Sequence, residues 1–340
     1  MNDIPLEEAV RLNGPLAFNM MLKPAGSLCN LGCSYCYYLD KAALYGGTEP
    51  RMSLRTLEKV TEAYIEANDV PEVQFLWHGG EPLLLGLDFF RQAVAFQQRY
   101  AGGKRIRNSI QTNGTLLSPA WADFFLENDF LVGLSLDGPQ DLHDRYRSDR
   151  GGAPTFRSVM AALDLLQRRG VAFNTLTTVN RASEGRGAEV YRFLKASGSR
   201  YLQFLPVVER VRFRGKKARP LIVDPRTPGS APGVWSVSAL GFGRFMADIF
   251  DCWVQEDVGR VFVQLFDAVL SAWCGQAPGV CVFGRSCAGN AVIEHNGDTA
   301  LEVGLREGCP AAGTVDVHLH AHAGTSLLVE RVAGVGHNVA

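Results

Sequence analysis

The chain has 340 residues, 46% of them hydrophobic, with 34 Lys and Arg against 35 Asp and Glu and a formal net charge of −1. That is enough for one large domain and a smaller appendage, and the near-neutral balance gives no sign of a nucleic acid or an anionic membrane as partner. Residues 1–14 hold no apolar signal region and no run reaches the length of a membrane span, so a cytoplasmic location is expected. In a reducing compartment the eight cysteines point to metal binding or catalysis rather than to disulfides.

Apolar runs alternate with segments of helical period along the first 206 residues. Strands are expected at 17–22, 73–77, 106–111, 131–136, 172–178 and 201–205. Helices are expected at 54–67, 87–100, 119–127, 156–169 and 187–196. Such units imply a parallel sheet with helices outside and the chemistry in loops after the strand C-termini. Six strands rather than eight imply a partial barrel, open on one side to a polypeptide substrate. Beyond Pro206, residues 210–232 are basic and Gly- and Pro-rich and read as a loop. Segments 234–256 and 261–273 read as helices whose Cys252 and Cys274 behave as buried small hydrophobes. Residues 292–298 read as a strand entering an Asn-Gly hairpin turn.

The first expected strand is followed by Cys29-Asn30-Leu31-Gly32-Cys33-Ser34-Tyr35-Cys36. Three thiolates are one too few to close a [4Fe–4S] cluster and leave one iron for a non-protein ligand. An open metal position marks a reactive site. The alternatives are a zinc knuckle or three buried thiols, but zinc requires a fourth Cys or His nearby and the next histidine is His78. The second expected strand is followed by His78-Gly79-Gly80-Glu81-Pro82. Its glycines either let the backbone approach a ligand closely or simply make a tight turn.

The stretch Lys23-Pro24-Ala25-Gly26-Ser27-Leu28-Cys29 through Cys33, Cys36, Tyr37 and Tyr38 resembles the cluster loop of radical S-adenosylmethionine (SAM) enzymes. Within them it is most similar to the anaerobic sulfatase-maturating enzymes, over about residues 15–298. The resemblance implies an α/β fold with a partial (β/α)6 TIM-like radical SAM barrel at 15–206, after an N-terminal extension at 1–14. A loop and helices at 207–275 then link to a remnant auxiliary-cluster (SPASM-like) domain that begins at 276–298.

That resemblance assigns Cys29, Cys33 and Cys36 to a [4Fe–4S] cluster whose free iron is chelated by SAM. One electron cleaves SAM to methionine and a 5′-deoxyadenosyl radical, which takes a Cβ hydrogen from a Cys or Ser of a target sulfatase. A base removes the thiol or hydroxyl proton and a second electron leaves, giving Cα-formylglycine. His78, Gly79, Gly80 and Glu81 are expected to meet the SAM amino group, His78 at a position where relatives can carry Gln. Ser135 is expected near the ribose or carboxylate, and Arg147 as a cation facing that carboxylate, for which its fork is apt. A solvated loop charge is the other reading of Arg147. Tyr35 is expected to pack on the adenine, unless it is an ordinary core aromatic, and Tyr38 to face the peptide. Gln111 and Gln203 are further candidates for lining the cavity. The implied partners are a sulfatase polypeptide and an electron donor such as flavodoxin or ferredoxin.

In the family the chain continues into a domain with two auxiliary [4Fe–4S] clusters. Cys281 and Cys287 match the first two ligands there, but Glu302 stands where a third is expected and Val303 where the family has its base. Only Cys309 remains downstream, so the auxiliary clusters are not expected to assemble. Residues 299–340 contain no Phe, Trp, Tyr or Lys and four of the seven histidines, His318, His320 and His322 among them. Loss of the reading frame near residue 299 accounts for that composition, and such a tail is expected to pack poorly; a three-imidazole metal site is the alternative. The expected protein is thus a sulfatase maturase impaired at its C-terminal end. The competing readings are another peptide-modifying radical SAM enzyme that crosslinks or epimerises, and a cluster-binding relic without turnover. A plain electron-transfer protein is disfavoured by the open three-Cys site.

Overall fold

The computed structural model describes residues 18–41, 49–212, 221–223, 227–276, 279–280 and 290–301. In chain order the elements begin with β1 (Asn19–Leu22), α1 (Tyr38–Lys41), α2 (Leu54–Ala67), β2 (Glu72–Trp77), α3 (Leu87–Tyr100) and β3 (Arg105–Thr112). Next come α4 (Pro119–Glu127), β4 (Phe130–Ser135), α5 (Gln140–Tyr146), α6 (Phe156–Arg169), β5 (Phe173–Val179), α7 (Gly187–Ala196) and β6 (Tyr201–Pro206). Three short strands follow, β7 (Arg210–Arg212), β8 (Leu221–Val223) and β9 (Ala231–Pro232). The remaining elements are α8 (Ala239–Glu256), β10 (Phe262–Val263), α9 (Gln264–Trp273), β11 (Asn290–Ile293) and β12 (Thr299–Leu301).

The helices start where side chains satisfy the first free amides. Ser53 accepts from the Thr56 amide ahead of α2, Ser118 from Trp121 ahead of α4, and Ser238 from Gly241 ahead of α8. In α2 the apolar stripe buries Leu57, Thr61, Tyr64 and Ile65, a spacing of one helical face. β4 buries every residue except Leu131, as befits a strand covered on both faces.

The chain divides into two compact units. Among the described residues the first comprises 18–26, 50–109 and 290–301, with strand order β3-β2-β1-β11-β12. There β1 pairs in parallel with both β2 and β11, and β12 returns antiparallel to β11. Its core is aromatic: Tyr64 packs on Phe75, Phe75 on Trp77 and Trp77 on Phe90, with ring centroids 4.9–5.9 Å apart. The second comprises the described residues between 27 and 49 and between 110 and 280. Its strands run β3-β4-β5-β6-β10, parallel at β4/β5, β5/β6 and β6/β10. Trp121, Phe124, Phe125 and Phe130 fill the space under α4.

Several sequence expectations change. The segment read as a loop at 210–232 pairs into a small antiparallel sheet, β8-β7-β9. The helix expected from 234 starts at Ala239, because Ser238 caps it. The one expected from 261 opens with β10, and its helical part begins at Gln264. Cys274 is exposed rather than buried, because α9 ends there on the surface, while Cys252 is half-buried and accepts from Arg192 at 3.4 Å. Helix α5 was not expected. The hairpin at Asn296-Gly297 is present, but Thr299–Leu301, assigned to a poorly packed tail, form β12. The extension 1–14 and residues Cys281, Cys287, Glu302, Val303, Cys309, His318, His320 and His322 lie outside the described residues. Among the described residues no helix is long and apolar enough to cross a membrane.

Two buried polar groups give measurable consequences. Asn108 accepts from Trp77 Nε1 at 2.8 Å and exchanges two hydrogen bonds with Gln97 at 2.8 and 2.9 Å. Asn108→Leu strands the indole N–H and the Gln97 amide; each such loss costs about 1–3 kcal/mol, to be read as a lower urea midpoint. His143, fully buried, accepts from the Asp137 amide on Nδ1 at 3.3 Å, so its proton sits on Nε2, 3.1 Å from Thr155 Oγ1. Burial lowers His143 from 6.5 to about 4, and burial with the Lys23 charge lowers His78 equally. Both rings are neutral in the fold and protonate more readily when it opens. Stability is therefore complete above about pH 6.5 and falls as pH drops towards about 4. Urea titrations across that window check the slope, which His143→Gln should reduce.

Candidate functional site

Within the first unit a backbone cradle forms where β1 and β2 end. Gly26 has φ 51° and Gly79 φ 122°, which side chains other than glycine's rarely tolerate. A Cβ on Gly79 would lie 3.0 Å from the Gly26 carbonyl, and one on Gly26 2.6 Å from Pro50 Cβ. The Gly80 amide donates to the Gly26 carbonyl at 2.8 Å, fastening the two turns together. His78 turns inward, its Nδ1 accepting from the Gly79 amide at 2.8 Å. Glu81 is fully buried, and its Oε1 accepts from the Leu83 amide at 3.0 Å, capping a short 3₁₀ turn at Pro82–Leu85. Beside them Lys23, 5% exposed, reaches Glu294 at 3.4 Å.

The second unit holds the three cysteines on one loop. Leu31, Cys33, Tyr35, Val211 and Trp235 form a buried cluster against which Cys29 and Cys36 also pack. A second stretch of chain lies along this loop. The Gly32 amide donates to Ser148 O at 2.8 Å and the Ser34 amide to Tyr146 O at 3.0 Å, while Arg150 Nε donates to Cys29 O at 2.8 Å. On the other side Asn113 donates to Asn30 at 2.9 Å, and Asn30 to Thr115 at 2.8 Å. Sequence reasoning missed both supports, since only pairing reveals them.

Arg147 is not a solvated loop charge. Its guanidinium is buried, with Nε 2.8 Å from Asp137 Oδ2 and Nη2 3.1 Å from Oδ1 and 3.2 Å from Thr178 Oγ1. The same carboxylate accepts from the Tyr35 hydroxyl at 2.7 Å, and the guanidinium stands 5.7 Å from the Tyr35 ring centre. Burial alone would raise the Asp137 carboxyl, but Arg147 reverses this and holds it below the usual carboxylate range. Asp137 was absent from the residues singled out, although it follows β4 directly in Ser135-Leu136-Asp137-Gly138-Pro139.

The other expected residues are placed as follows. Ser135 Oγ accepts from Gln111 Nε2 at 3.0 Å. Tyr38, expected to face substrate, is only 4% exposed, with Tyr37 stacked on it at 4.4 Å; Tyr37, at 37%, is the exposed partner. Gln203 lines a cavity of about 580 Å³ with Leu131, Phe173, Tyr201 and Phe262. That cavity sits where β4, β5 and β6 begin, away from the strand ends that lead to Ser135 and Asp137.

The donor set suits an iron–sulfur cluster. Burial pushes the Cys33 thiol up to about 11 and raises Cys36, and the Arg147 charge opposes both shifts. The thiols interact with one another, Cys33 with Cys36 and Cys36 with Cys29. Such thiols ionise when a positively charged metal group arrives. The loop also supplies amide donors for thiolate sulfurs: the Leu31 N–H lies 3.4 Å from Cys29 Sγ, and Tyr38 and Leu39 donate to Cys36.

Residues 24–194 match the model of the Radical SAM superfamily. A serine-type anaerobic sulfatase-maturating enzyme of Bacteroides thetaiotaomicron is 44% identical over 280 residues, 82% of this chain and 67% of the relative. A cysteine-type enzyme of Clostridium novyi is 35% identical over 289 residues, 83% of this chain and 72% of the relative. The solved structure of native anSMEcpe with bound AdoMet and Cp18Cys peptide is 30% identical with a TM-score of 0.71, covering 83% of this chain and 73% of that one. Streptococcus suis SuiB bound to S-adenosylmethionine, 14% identical with a TM-score of 0.56 over 86% of this chain and 62% of that one, shares the fold alone. With three cysteines on one loop, Cys33 buried and Cys29 and Cys36 partly so, and an α/β sheet of this order, the chain belongs to the radical SAM superfamily and, within it, to the anaerobic sulfatase-maturating enzymes.

Proposed function

We propose that this chain oxidises a Cys or Ser of a sulfatase polypeptide to Cα-formylglycine, with Cys29, Cys33 and Cys36 holding the [4Fe–4S] cluster and SAM bound beside it. The observation that carries the reading is the single loop that packs Cys29, Cys33 and Cys36 around one buried cluster, with the Arg147 guanidinium beside Tyr35. The family's cofactors, a [4Fe–4S] cluster and SAM, supply a one-electron reductive cleavage that begins hydrogen abstraction from the substrate. The three cysteines would hold the cluster with one iron left for a non-protein ligand.

The chain's own residues bind and orient. Gly79 and Gly80 present backbone carbonyl and amide groups uncovered by side chains, which suits the SAM amino group. Ser135, fixed by Gln111, offers a hydroxyl at the end of β4 for the ribose or carboxylate. Arg147 already spends two of its nitrogens on Asp137 and Thr178. It acts on a SAM carboxylate as half of an ion pair rather than as a lone cation. Tyr35, likewise engaged through its hydroxyl, is the ring the family resemblance places against the adenine. Tyr37 is the exposed aromatic beside the loop and the better candidate for peptide contact. The electron comes from a small carrier of the flavodoxin or ferredoxin type, and the protein acts in the cytoplasm.

Protein reconstituted anaerobically with iron and sulfide should release 5′-deoxyadenosine when given SAM and dithionite. Replacing any one of Cys29, Cys33 and Cys36 by Ala should remove both the iron and the cleavage. Release of 5′-deoxyadenosine by the triple-Ala protein would show that the cluster is held elsewhere.

A further inference from the structure

We infer that Asp137 is a positioning residue for the cluster loop: one buried carboxylate holds the Tyr35 hydroxyl and the Arg147 guanidinium together, and so fixes the segment between Cys33 and Cys36. The inference rests on the assignment of the three cysteines to a cluster.

Tyr35 lies between two of the three thiols, and its hydroxyl reaches out of the loop to Asp137 Oδ2 at 2.7 Å. Asp137 is 1% exposed and its carboxylate is fully used. Oδ2 accepts from Tyr35 and Arg147 Nε, and Oδ1 from Arg147 Nη2 and the Thr178 amide, the last at 2.9 Å. Four acceptor directions filled from three elements leave the group no other rotamer. Its own backbone amide is tied to His143. The stretch that bears Arg147 is also the one that pairs with the loop, through Ser34 to Tyr146 and Gly32 to Ser148. A closed ring of contacts results, running Tyr35, Asp137, Arg147, Tyr146, Ser34 and back to Tyr35. The loop therefore cannot shift Cys33 relative to Cys36 without breaking a charge-assisted hydrogen bond in a dry site. Preorganising the ligands in this way lowers the cost of ordering them when the metal enters.

The test uses the full chain, reconstituted anaerobically, as wild type, Tyr35→Phe, Asp137→Asn and the double variant. Tyr35→Phe deletes only the hydroxyl and keeps the ring against Tyr146 and Arg147. Three quantities are read: iron and sulfide per chain, the rate of iron loss to a chelator, and the EPR spectrum of the reduced cluster with and without SAM. Tyr35→Phe should lose iron about tenfold faster, as expected for one hydrogen bond to a charged group, and show an altered EPR line shape. Asp137→Asn should do at least as much, and the double variant no more than Asp137→Asn alone, because the hydroxyl acts through that carboxylate. Should Asp137→Asn fail to fold, Tyr35→Phe decides by itself. A Tyr35→Phe protein with the wild-type spectrum and rate of iron loss would overturn the inference while leaving the cluster assignment standing, and additive effects in the double variant would do the same. Wild-type protein that takes up no four-iron cluster would overturn the assignment and the inference together.

Discussion

A carboxylate withdrawn from water must be repaid in full, and in the second unit Asp137 is the place where that constraint is met. Its charge is matched by Arg147, its remaining acceptor directions by a tyrosine hydroxyl and a backbone amide, and its amide by a neutral histidine. Removing one partner of such a pair leaves an uncompensated buried charge, which is far costlier than the pair is stabilising. The same requirement forces β4, β5, the loop after α5 and the cysteine loop into one arrangement. The network is thus organised by electrostatic satisfaction rather than by apolar packing alone.

The first unit reaches its functional geometry by another route, through absent side chains. A Cβ on Gly79 would crowd the Gly26 carbonyl and one on Gly26 would collide with Pro50, and the hydrogen bond from the Gly80 amide to Gly26 joins the two chain reversals. Backbone groups so fixed keep their dipoles at every pH, because they have no titration of their own. Lys23, directly after β1, and Glu294, in the turn after β11, form a partly buried ion pair. The hairpin of β11 and β12 is attached to the sheet by parallel pairing with β1.

Much of this was legible in the sequence. Five helices were read with the bounds they have, because each carries an apolar stripe at helical spacing and ends at an evident cap or turn. The open cysteine set and the Gly-Gly turn were equally plain, since ligand number and missing side chains are local properties. What escaped was pairing at a distance. Strands of two to four residues such as β10 and β7 have no period to detect, and a Gly- and Pro-rich stretch that reads as loop still forms β8 and β9. Asp137 and Arg147 are ten residues apart and unremarkable as letters; only burial shows that each is the other's counter-ion. Sequence alone does not tell which of the neighbouring rings Tyr37 and Tyr38 is exposed; in the fold Tyr38, at the start of α1, is buried and Tyr37 is exposed.

The central claim is that SAM cleavage in this chain is coupled to hydrogen removal from a sulfatase polypeptide. It is tested most directly by incubating the reconstituted protein anaerobically with SAM, dithionite and a sulfatase-motif peptide deuterated at the Cβ of its target Ser or Cys. Mass spectrometry of the 5′-deoxyadenosine then reports the abstraction step itself, independently of whether the later electron is removed efficiently. Deuterium in the 5′-deoxyadenosine is the result this account predicts. Unlabelled 5′-deoxyadenosine formed at the same rate with and without the peptide would contradict it.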